Sequence, residues 1–191
     1  MIQALIFDCF GVLYWDDLNR IYNLVSPDKF QYLNDCLHAC DHGYITREVF
    51  LNQVAELAGI SVDAVVAVIH DKQRRNEPMI QRVKELKKQY KIGLLTNMGP
   101  GTIEDVFSEA ERAELFDSVV ISSEVGMIKP SRDIFELASE QIGVPAGETV
   151  FIDDRPVNTD GAEVTGMKTI LFTTNKQFEV ELARFTEPVN A

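Results

Sequence analysis

The sequence predicts an α/β fold, in which a doubly wound, parallel β-sheet carries a small helical domain inserted after its first strand. Three observations support this prediction. Short apolar runs alternate with segments of helical periodicity along the 191 residues of the chain, and this alternation is typical of parallel sheets with helices on both faces. A long block between the first two runs has helical character. Two of the runs end in aspartate, at the sheet edge where such folds bind ligands.

The predicted strands are short runs rich in β-branched and aromatic residues, as expected for strands buried on both faces of a sheet. In chain order they cover residues 5–8, 92–97, 119–122, 149–152 and 169–172. Helical periodicity follows the later strands. At the end of the chain, the spacing of Phe178 and Leu182 predicts a packed terminal helix from about Gln177.

The block from about Leu18 to Arg82 is too long for a simple crossover between two strands. Gly59 is expected to end one of the helices within it. We therefore expect a helical cap domain of residues 15–82 and a core domain of residues 1–14 and 83–191. A cap above the carboxyl edge of the sheet would enclose whatever the strand-end aspartates bind.

The composition excludes several classes of function. The formal net charge of −12 argues against nucleic acid, for which a basic patch is expected, and against anionic membrane surfaces. The sequence shows neither an apolar run of about 18 residues nor a secretory signal. Its three cysteines, an odd number, indicate no disulfide framework. We therefore expect a cytoplasmic protein with no membrane or nucleic-acid partner, and the sequence indicates no particular oligomeric state.

Two cysteines and two histidines lie close together in the predicted cap. In a helix, Cys36 and Cys40 share one face, whereas His38 and His42 lie on roughly the opposite face. Four such ligands could not converge on one ion. Buried cysteines and exposed histidines are therefore expected rather than a metal site.

Polar side chains lie at or just beyond the carboxyl ends of four successive predicted strands. In chain order they are Asp8, then Thr96 and Asn97, then Lys129, and finally Asp153 and Asp154. Three carboxylates at one sheet edge would repel one another unless a cation lay between them, and hard oxygen ligands make Mg²⁺ the expected ion. The set suits phosphoryl transfer, because a carboxylate can attack phosphorus to form an acyl phosphate while the lysine, a hydroxyl and a metal stabilise the developing charge.

These residues lie in segments that resemble the haloacid dehalogenase (HAD) superfamily, whose members are mostly phosphatases. The similar segments are residues 5–13, 94–97, 126–130 and 151–162, and together they span nearly the whole chain. The resemblance implies a HAD-like, Rossmann-type core with a small helical cap after the first segment. Residues 43–50 also resemble that cap in sugar-phosphate phosphatases and in the phosphatase domain of soluble epoxide hydrolase.

The resemblance implies a metal site built from the first and last segments. Asp8 would be the nucleophile and a metal ligand, and Phe10 would offer its backbone carbonyl to Mg²⁺. Asp154 would bind Mg²⁺ directly, whereas Asp153 would be either a ligand or a hydrogen-bond acceptor behind the ligands. Asn158 would support this site or be an ordinary helix residue.

The resemblance also implies a substrate site. Thr96 and Asn97 would bind the phosphoryl group, and Lys129 would neutralise charge on that group and on the nucleophile. The implied function is that of a Mg²⁺-dependent phosphatase or phosphotransferase. It would act on a small phosphorylated metabolite through an aspartyl-phosphate on Asp8.

One position departs from the pattern of the family. Most of its phosphatases carry a second aspartate two residues after the nucleophile, which protonates the leaving alcohol, and Phe10 stands there in this chain. General acid–base help is typically worth about 10²–10⁴ in rate. Either hydrolysis is slow, or the substrate has a good leaving group, or another residue substitutes, with Asp16, Asp17 and the cap histidines as candidates.

Two other functions stay open. Dehalogenases of the family also carry an aromatic residue at this position, but they use no metal and hold the substrate carboxylate with an early cap arginine, for which Arg20 is the candidate. The pair Asp153 and Asp154 argues against a metal-free site. The remaining alternative is a catalytically weak or inactive HAD-like binding or regulatory module.

Overall fold

The protein is described by a computed structural model that covers residues 1–15, 19–70 and 74–186. Within these ranges the strands are β1 (Ala4–Phe7), β2 (Tyr14–Trp15), β3 (Arg74–Arg75), β4 (Lys91–Thr96), β5 (Ser118–Ile121), β6 (Thr149–Asp153) and β7 (Lys168–Leu171). The helices are α1 (Asn19–Tyr22), α2 (Phe30–Asp41), α3 (Arg47–Ala58), α4 (Val62–His70), α5 (Glu77–Leu86), α6 (Ile103–Val106), α7 (Glu109–Leu115), α8 (Ser122–Val125), α9 (Arg132–Ile142), α10 (Pro156–Glu163) and α11 (Asn175–Thr186). Two short 3-10 helices cover Pro27–Lys29 and Ala146–Glu148.

Five of the strands form one parallel sheet in the order β5–β4–β1–β6–β7. β1 lies at its centre, where Phe7 is opposite both Leu94 of β4 and Ile152 of β6. Each predicted strand is present, and its ends lie within one residue of the predicted ends. The predicted α/β fold with a parallel sheet is confirmed.

Helices cover both faces of this sheet, because successive side chains of a strand point to opposite faces. Leu5 and Phe7 of β1 pack in a core cluster with apolar residues of α5, α7 and α11. Ala4 and Ile6 pack on the other face with residues of α9 and α10. The sheet is therefore doubly wound, and β1 brings the residue that follows it, Asp8, to the middle of the carboxyl edge.

Helices α1 to α4 pack around a separate apolar core, in which Leu33, Val54 and Val65 are fully buried. Cys36 and Cys40 are buried in this core, as expected. Within the described ranges no single helix is long and apolar enough to cross a membrane. Helices α3 and α4 meet that criterion only when taken together, and they are bent by 102° at their junction.

A two-stranded antiparallel ribbon joins this helical unit to the sheet. In the ribbon Tyr14 is opposite Arg75, and Trp15 is opposite Arg74. The Arg75 guanidinium lies 5.8 Å from the centroid of the Tyr14 ring and binds Glu111 Oε1 of α7 at 2.7 Å. These contacts fix the ribbon to the core at the point where the chain leaves and re-enters it. The sequence pattern does not predict this ribbon.

The first part of helix α5, residues 77–82, falls within the predicted cap segment, but the apolar face of the helix packs on the sheet. Met79, Ile80 and Val83 are buried in the same cluster as β1. The predicted boundaries at residues 15 and 82 stay predictions. We propose that the core domain resumes near Glu77, because the helix that begins there buries its side chains against the sheet.

Candidate active site

Asp8 lies directly after β1 and is buried at the carboxyl edge of the sheet. Its Oδ1 accepts a hydrogen bond from the backbone N–H of Cys9 at 2.7 Å and pairs with Lys129 Nζ at 2.8 Å. Burial raises the pKa of the Asp8 carboxyl to about 8, and Asp153 adds to this rise while Lys129 opposes it. A carboxyl group held in this way needs further positive charge to stay ionised.

Lys129 is buried between two carboxylates. Its Nζ lies 2.8 Å from Asp8 Oδ1 and 2.7 Å from Asp153 Oδ2, and it donates a hydrogen bond to the Leu95 carbonyl at 3.1 Å. These three acceptors match the three donors of an ammonium group. Burial lowers the pKa of Lys129, but the two carboxylates more than compensate, so that the pKa lies above its ordinary value. The lysine therefore stays charged and sets the spacing of Asp8 and Asp153.

Asp153, at the end of β6, makes several contacts besides Lys129. Asn158 Nδ2 lies 3.0 Å from each of its carboxylate oxygens, and the backbone N–H of Arg155 donates to Oδ1 at 2.8 Å. Four donor contacts occupy most of the acceptor capacity of a carboxylate. These contacts favour a role for Asp153 in orienting Lys129 over direct binding of a metal, and they give Asn158 a structural function in the site.

Asp154 completes an acidic cluster with Asp8 and Asp153. One ligand oxygen from each of the three carboxylates lies within 4.8 Å of the others. Burial raises the pKa of Asp154, and the neighbouring Asp153 contributes to the rise. Lys129 balances one of the three negative charges, so the cluster retains an excess that a divalent cation would neutralise. Clustered carboxylate oxygens are the donors that Mg²⁺ prefers, and the set fits this ion.

Gly11 makes room for the Asp154 carboxylate. The glycine has φ +86°, and a Cβ atom added to it would lie 2.2 Å from Asp154 Cγ. Such a contact is far inside the van der Waals limit, so any larger residue would displace Asp154. The tight turn after β1 therefore depends on a glycine to leave space for the Asp154 carboxylate.

We expect Gly11→Ala to weaken Mg²⁺ binding about 10–100-fold, the range seen when groups that orient metal ligands are altered. The matched control is Gly166→Ala, because Gly166 has φ +90° and no neighbour within 4 Å of an added Cβ. Both variants carry the cost of a left-handed alanine, about 1–2 kcal/mol. Titration calorimetry with Mg²⁺ measures the effect, and equal affinity in the two variants would contradict the assignment of Asp154.

Thr96 and Asn97, at the end of β4, are placed differently from each other. The Thr96 side chain is fully buried, and among the described residues its hydroxyl has no hydrogen-bond partner. The Asn97 side chain exchanges two hydrogen bonds with the backbone of Lys129, from Nδ2 to the carbonyl at 2.9 Å and from the N–H to Oδ1 at 2.8 Å. The Asn97 side chain therefore fixes the backbone at Lys129. Only the backbone of Asn97 remains able to bind a substrate.

A cavity of about 560 Å³ lies between the cap helices and the carboxyl edge of the sheet. Its floor includes Asp8, Asn97, Lys129 and Asp154. The cap contributes an apolar wall formed by Ile21, Leu37, Phe50, Leu51 and Ile69. The acidic cluster thus opens into a cavity with a polar floor. On the cap side, Asn34, His38, Asp41 and Arg47 line the cavity beside these apolar residues.

A sequence model of the haloacid dehalogenase-like hydrolases matches residues 2–166, which is most of the chain. This chain is a haloacid dehalogenase-like hydrolase. The family assignment made from the motifs is thereby confirmed, and the enzyme class, a hydrolase, follows from it.

Several proteins of known name are similar to this HAD-like chain. It is 26% identical over 180 residues to the sesquiterpene phosphatase astK of Aspergillus oryzae, which covers 86% of this chain and 87% of that protein. It is 27% identical over 194 residues to the drimenol cyclase drtB of Aspergillus calidoustus, covering 95% of this chain but 35% of that one. It is 32% identical over 95 residues to the pyrophosphatase PpaX of Bacillus mycoides, covering 49% of this chain and 44% of that one. The chain thus spans nearly all of the first relative and less than half of the other two.

Solved structures of HAD family enzymes have the same fold. An enzyme from Bacteroides thetaiotaomicron superimposes with a TM-score of 0.80 at 23% identity, covering 95% of this chain and 98% of that one. A structure of the same enzyme with magnesium and inorganic phosphate gives 0.76 at 24% identity, with 92% and 96% covered. A 2-haloacid dehalogenase from Pseudomonas syringae gives 0.63 at 18% identity, with 97% and 100% covered.

Phe10, the position at which a second aspartate was expected for a phosphatase of this family, lines the cavity. Phe10 is half-buried, and its ring meets that of Tyr14 edge-on at 6.4 Å between centroids. Among the residues predicted as alternative proton donors, Asp16 and Asp17 lie outside the described residues, and His38 lines the cavity as an exposed side chain. His42 is half-buried and stacks on Tyr44 with 4.9 Å between ring centroids.

Sequence reasoning missed one acidic residue of this cavity. Asp41, the last residue of α2, lines it together with Asn34 and His38 of the same helix. Residues four and seven positions apart lie on one helix face, so a polar stripe at 34, 38 and 41 was the available signal. Without the packing of the cap on the core, nothing in that stripe indicates that it faces the aspartates.

Proposed function

We propose that this chain is a Mg²⁺-dependent phosphatase that transfers the phosphoryl group of a small phosphorylated compound first to Asp8 and then to water. One observation carries the proposal. A buried lysine lies between Asp8 and Asp153, next to Asp154, at the floor of a cavity between the cap helices and the sheet. This arrangement supplies a nucleophile, a fixed positive charge and oxygen ligands for a cation in one place.

The chain's own residues account for the first bond to be made. The Cys9 N–H and Lys129 both engage Oδ1 of Asp8, and we therefore assign the attack on phosphorus to Oδ2. The charge of Lys129 stabilises the phosphoryl oxygens as the bond to Asp8 forms and the bond to the leaving oxygen breaks. The Thr96 hydroxyl and the Asn97 backbone N–H would hold those oxygens, and this would give the buried hydroxyl its partner.

The metal site of the proposal uses three residues. Asp8, Asp154 and the backbone carbonyl of Phe10 would hold Mg²⁺, while Asp153 keeps Lys129 in place. When bound, the ion would neutralise charge shared by the nucleophile and the phosphoryl group, which lowers their mutual repulsion. The clustering of the carboxylates and the space left by Gly11 support this set of ligands.

We further propose that the organic part of the substrate is small and largely apolar. The phosphoryl group would sit on the polar floor, and the rest of the molecule would extend toward Leu37, Phe50 and Leu51 of the cap. Burying apolar surface contributes roughly 25 cal/mol per Å² to binding. The name of the relative of similar length, a sesquiterpene phosphatase, agrees with an apolar substrate.

The test is phosphate release from four compounds with and without Mg²⁺: para-nitrophenyl phosphate, acetyl phosphate, a prenyl monophosphate and a hexose phosphate. We expect Mg²⁺-dependent turnover and a kcat/KM for the prenyl compound at least about tenfold above that for the hexose phosphate, the scale of one or two buried methylene groups. Equal values would contradict the apolar substrate. No turnover of any compound by the folded protein would leave the binding or regulatory module as the explanation.

The dehalogenase alternative has little support in the site. Arg20 Nη1 donates hydrogen bonds to the carbonyls of Val68 and Ile69 at 3.3 and 3.0 Å, which ties its guanidinium to the end of α4. The acidic cluster would also repel a substrate carboxylate. Release of chloride from 2-chloropropionate would restore this alternative.

A further inference from the structure

The proposed reaction needs a proton that Phe10 cannot provide. When Asp8 attacks the phosphorus of an alkyl phosphate, the leaving oxygen must be protonated, and in the second step an attacking water must lose a proton. Both transfers require a group that faces the cavity and can exist in either protonation state near neutral pH.

We propose that Asp41 is the general acid and base of this enzyme and takes the part of the missing second aspartate. This inference rests on the proposed phosphatase function. In this proposal a residue of the cap supplies the proton transfers that Phe10, after the first strand of the core, cannot perform.

The backbone of α2 aims Asp41 into the cavity. Asn34, His38 and Asp41 all line the cavity, and their spacing places them on one face of the helix. Asp41 is the residue of this stripe that lies at the C-terminal end of the helix, where α2 meets the core.

A hydrogen-bonded link fixes Asp41 relative to the phosphoryl-binding loop. Ser122 Oγ donates to the Asp41 carbonyl at 2.6 Å and accepts from the backbone N–H of Met98 at 2.9 Å. Met98 lies two residues after Thr96, so one buried hydroxyl connects the cap aspartate to the loop expected to hold the phosphoryl group. A second contact between the cap and the core is the ion pair of Arg47 in α3 with Asp105 in α6, at 2.6 Å.

The charges around Asp41 suit both transfers. Burial raises the pKa of the Asp41 carboxyl to about 6, and Lys129, His42 and Arg155 hold it below the value that burial alone would give. Lys129 and Arg155 belong to the core, and His42 is the residue that follows α2 in the cap. Near neutral pH such a carboxyl is present in both forms, which is the condition for acting as an acid and then as a base.

Among the described residues, two other polar groups that line the cavity are less suited to these transfers. The Arg47 guanidinium is committed to Asp105, and an arginine does not give up its proton in proteins. His38 also lines the cavity, but its side chain is exposed to solvent, whereas Asp41 is partly buried.

Each of the two steps breaks one bond to phosphorus for the bond that it forms, and Asp41 regains in the second step the proton that it gives up in the first. In the first, Asp8 Oδ2 bonds to phosphorus, the bond between phosphorus and the leaving oxygen breaks, and the Asp41 carboxyl gives its proton to that oxygen to release an alcohol. In the second, the Asp41 carboxylate takes a proton from water, the water oxygen bonds to phosphorus, and the acyl-phosphate bond to Asp8 breaks. Asp41 is then protonated again, and inorganic phosphate leaves.

The test compares two substrates of similar shape in the variant Asp41→Asn. Benzyl phosphate has an alkoxide leaving group that needs a proton, whereas para-nitrophenyl phosphate releases a stable phenolate. We expect kcat/KM for benzyl phosphate to fall about 10²–10⁴-fold, and kcat/KM for para-nitrophenyl phosphate to change by less than about threefold. The quantity kcat/KM covers only the steps up to the aspartyl-phosphate, so the later role of Asp41 as a base does not affect it.

The control is Asp35→Asn, an exposed residue of the same helix, which should leave both values unchanged. Partial unfolding of Asp41→Asn would lower both values equally, so the ratio of the two substrates reports the chemical role alone. Equal losses, or no loss for benzyl phosphate, would overturn the assignment of Asp41. Failure of the wild-type protein to hydrolyse para-nitrophenyl phosphate would instead refute the proposed phosphatase function.

Discussion

Replacing Asp8 by asparagine is expected to abolish Mg²⁺-dependent phosphate release, with a loss of at least about 10⁴-fold, the scale on which enzymes lose activity when a covalent nucleophile is removed. An amide oxygen cannot form the acyl phosphate through which the reaction proceeds. The substitution keeps the shape of the side chain, so the contacts of Oδ1 with Cys9 and Lys129 can persist. Phosphate release from para-nitrophenyl phosphate measures the loss.

The same variant should fold as well as the wild-type protein or better. Asp8 is one of three clustered carboxylates, and removing its charge relieves repulsion while Lys129 keeps its pair with Asp153. A midpoint of thermal unfolding at or above the wild-type value, together with lost activity, would separate chemistry from stability. Asp160→Asn, at an exposed position of α10, is the control for the substitution itself.

A second measurement identifies the intermediate. After rapid acid quenching during turnover, mass spectrometry of the wild-type protein should find a phosphoryl group on Asp8, and the variant should carry none. Retention of more than about a hundredth of the wild-type rate by Asp8→Asn would show that another residue or water attacks phosphorus, because a lost nucleophile costs far more than that.

The sheet and the acidic cluster were accessible to sequence reasoning because each depends on local pattern. Strands buried on both faces are continuous apolar runs, and residues that follow them must meet at the carboxyl edge. Asp8, Lys129, Asp153 and Asp154 were therefore placed together correctly. The contacts of Asn97 were not foreseen, because its partner is backbone 32 positions away in the chain.

The sequence predicted the cap as a helical unit. It did not predict which cap residues face the core. Which residues of α2 face the aspartates depends on how two separately packed domains dock, and this docking is decided by contacts such as that between Ser122 and Asp41, 81 positions apart. The same reason explains why the predicted boundary at residue 82 divides α5. Its apolar periodicity is equally compatible with packing on the cap and on the sheet, and Met79 and Ile80 pack on the sheet.

Replacing Lys129 by methionine is expected to destabilise the folded protein by about 3–5 kcal/mol, the cost of leaving a buried charge without its partner. Methionine fills a similar volume but leaves Asp8 and Asp153 facing each other with no ammonium between them. For a protein of this size the change corresponds to a fall of roughly 6–20 °C in the midpoint of thermal unfolding. Catalysis should fail as well, because the charge that stabilises the phosphoryl oxygens is removed.

The control for this prediction is a surface lysine whose Nζ lies at the same distance from a carboxylate oxygen. Lys84 Nζ lies 2.8 Å from Glu114 Oε1, with 38% of the lysine side chain exposed against 1% for Lys129. Exposed pairs contribute about 0–1 kcal/mol, so Lys84→Met should lower the midpoint by no more than a few degrees. Mg²⁺ should raise the midpoint of Lys129→Met more than that of the wild-type protein, since a bound cation would replace part of the lost positive charge. If the two methionine variants unfold at the same temperature, or if Mg²⁺ leaves the Lys129 variant unchanged, the buried lysine does not balance the acidic cluster in the way that its contacts indicate.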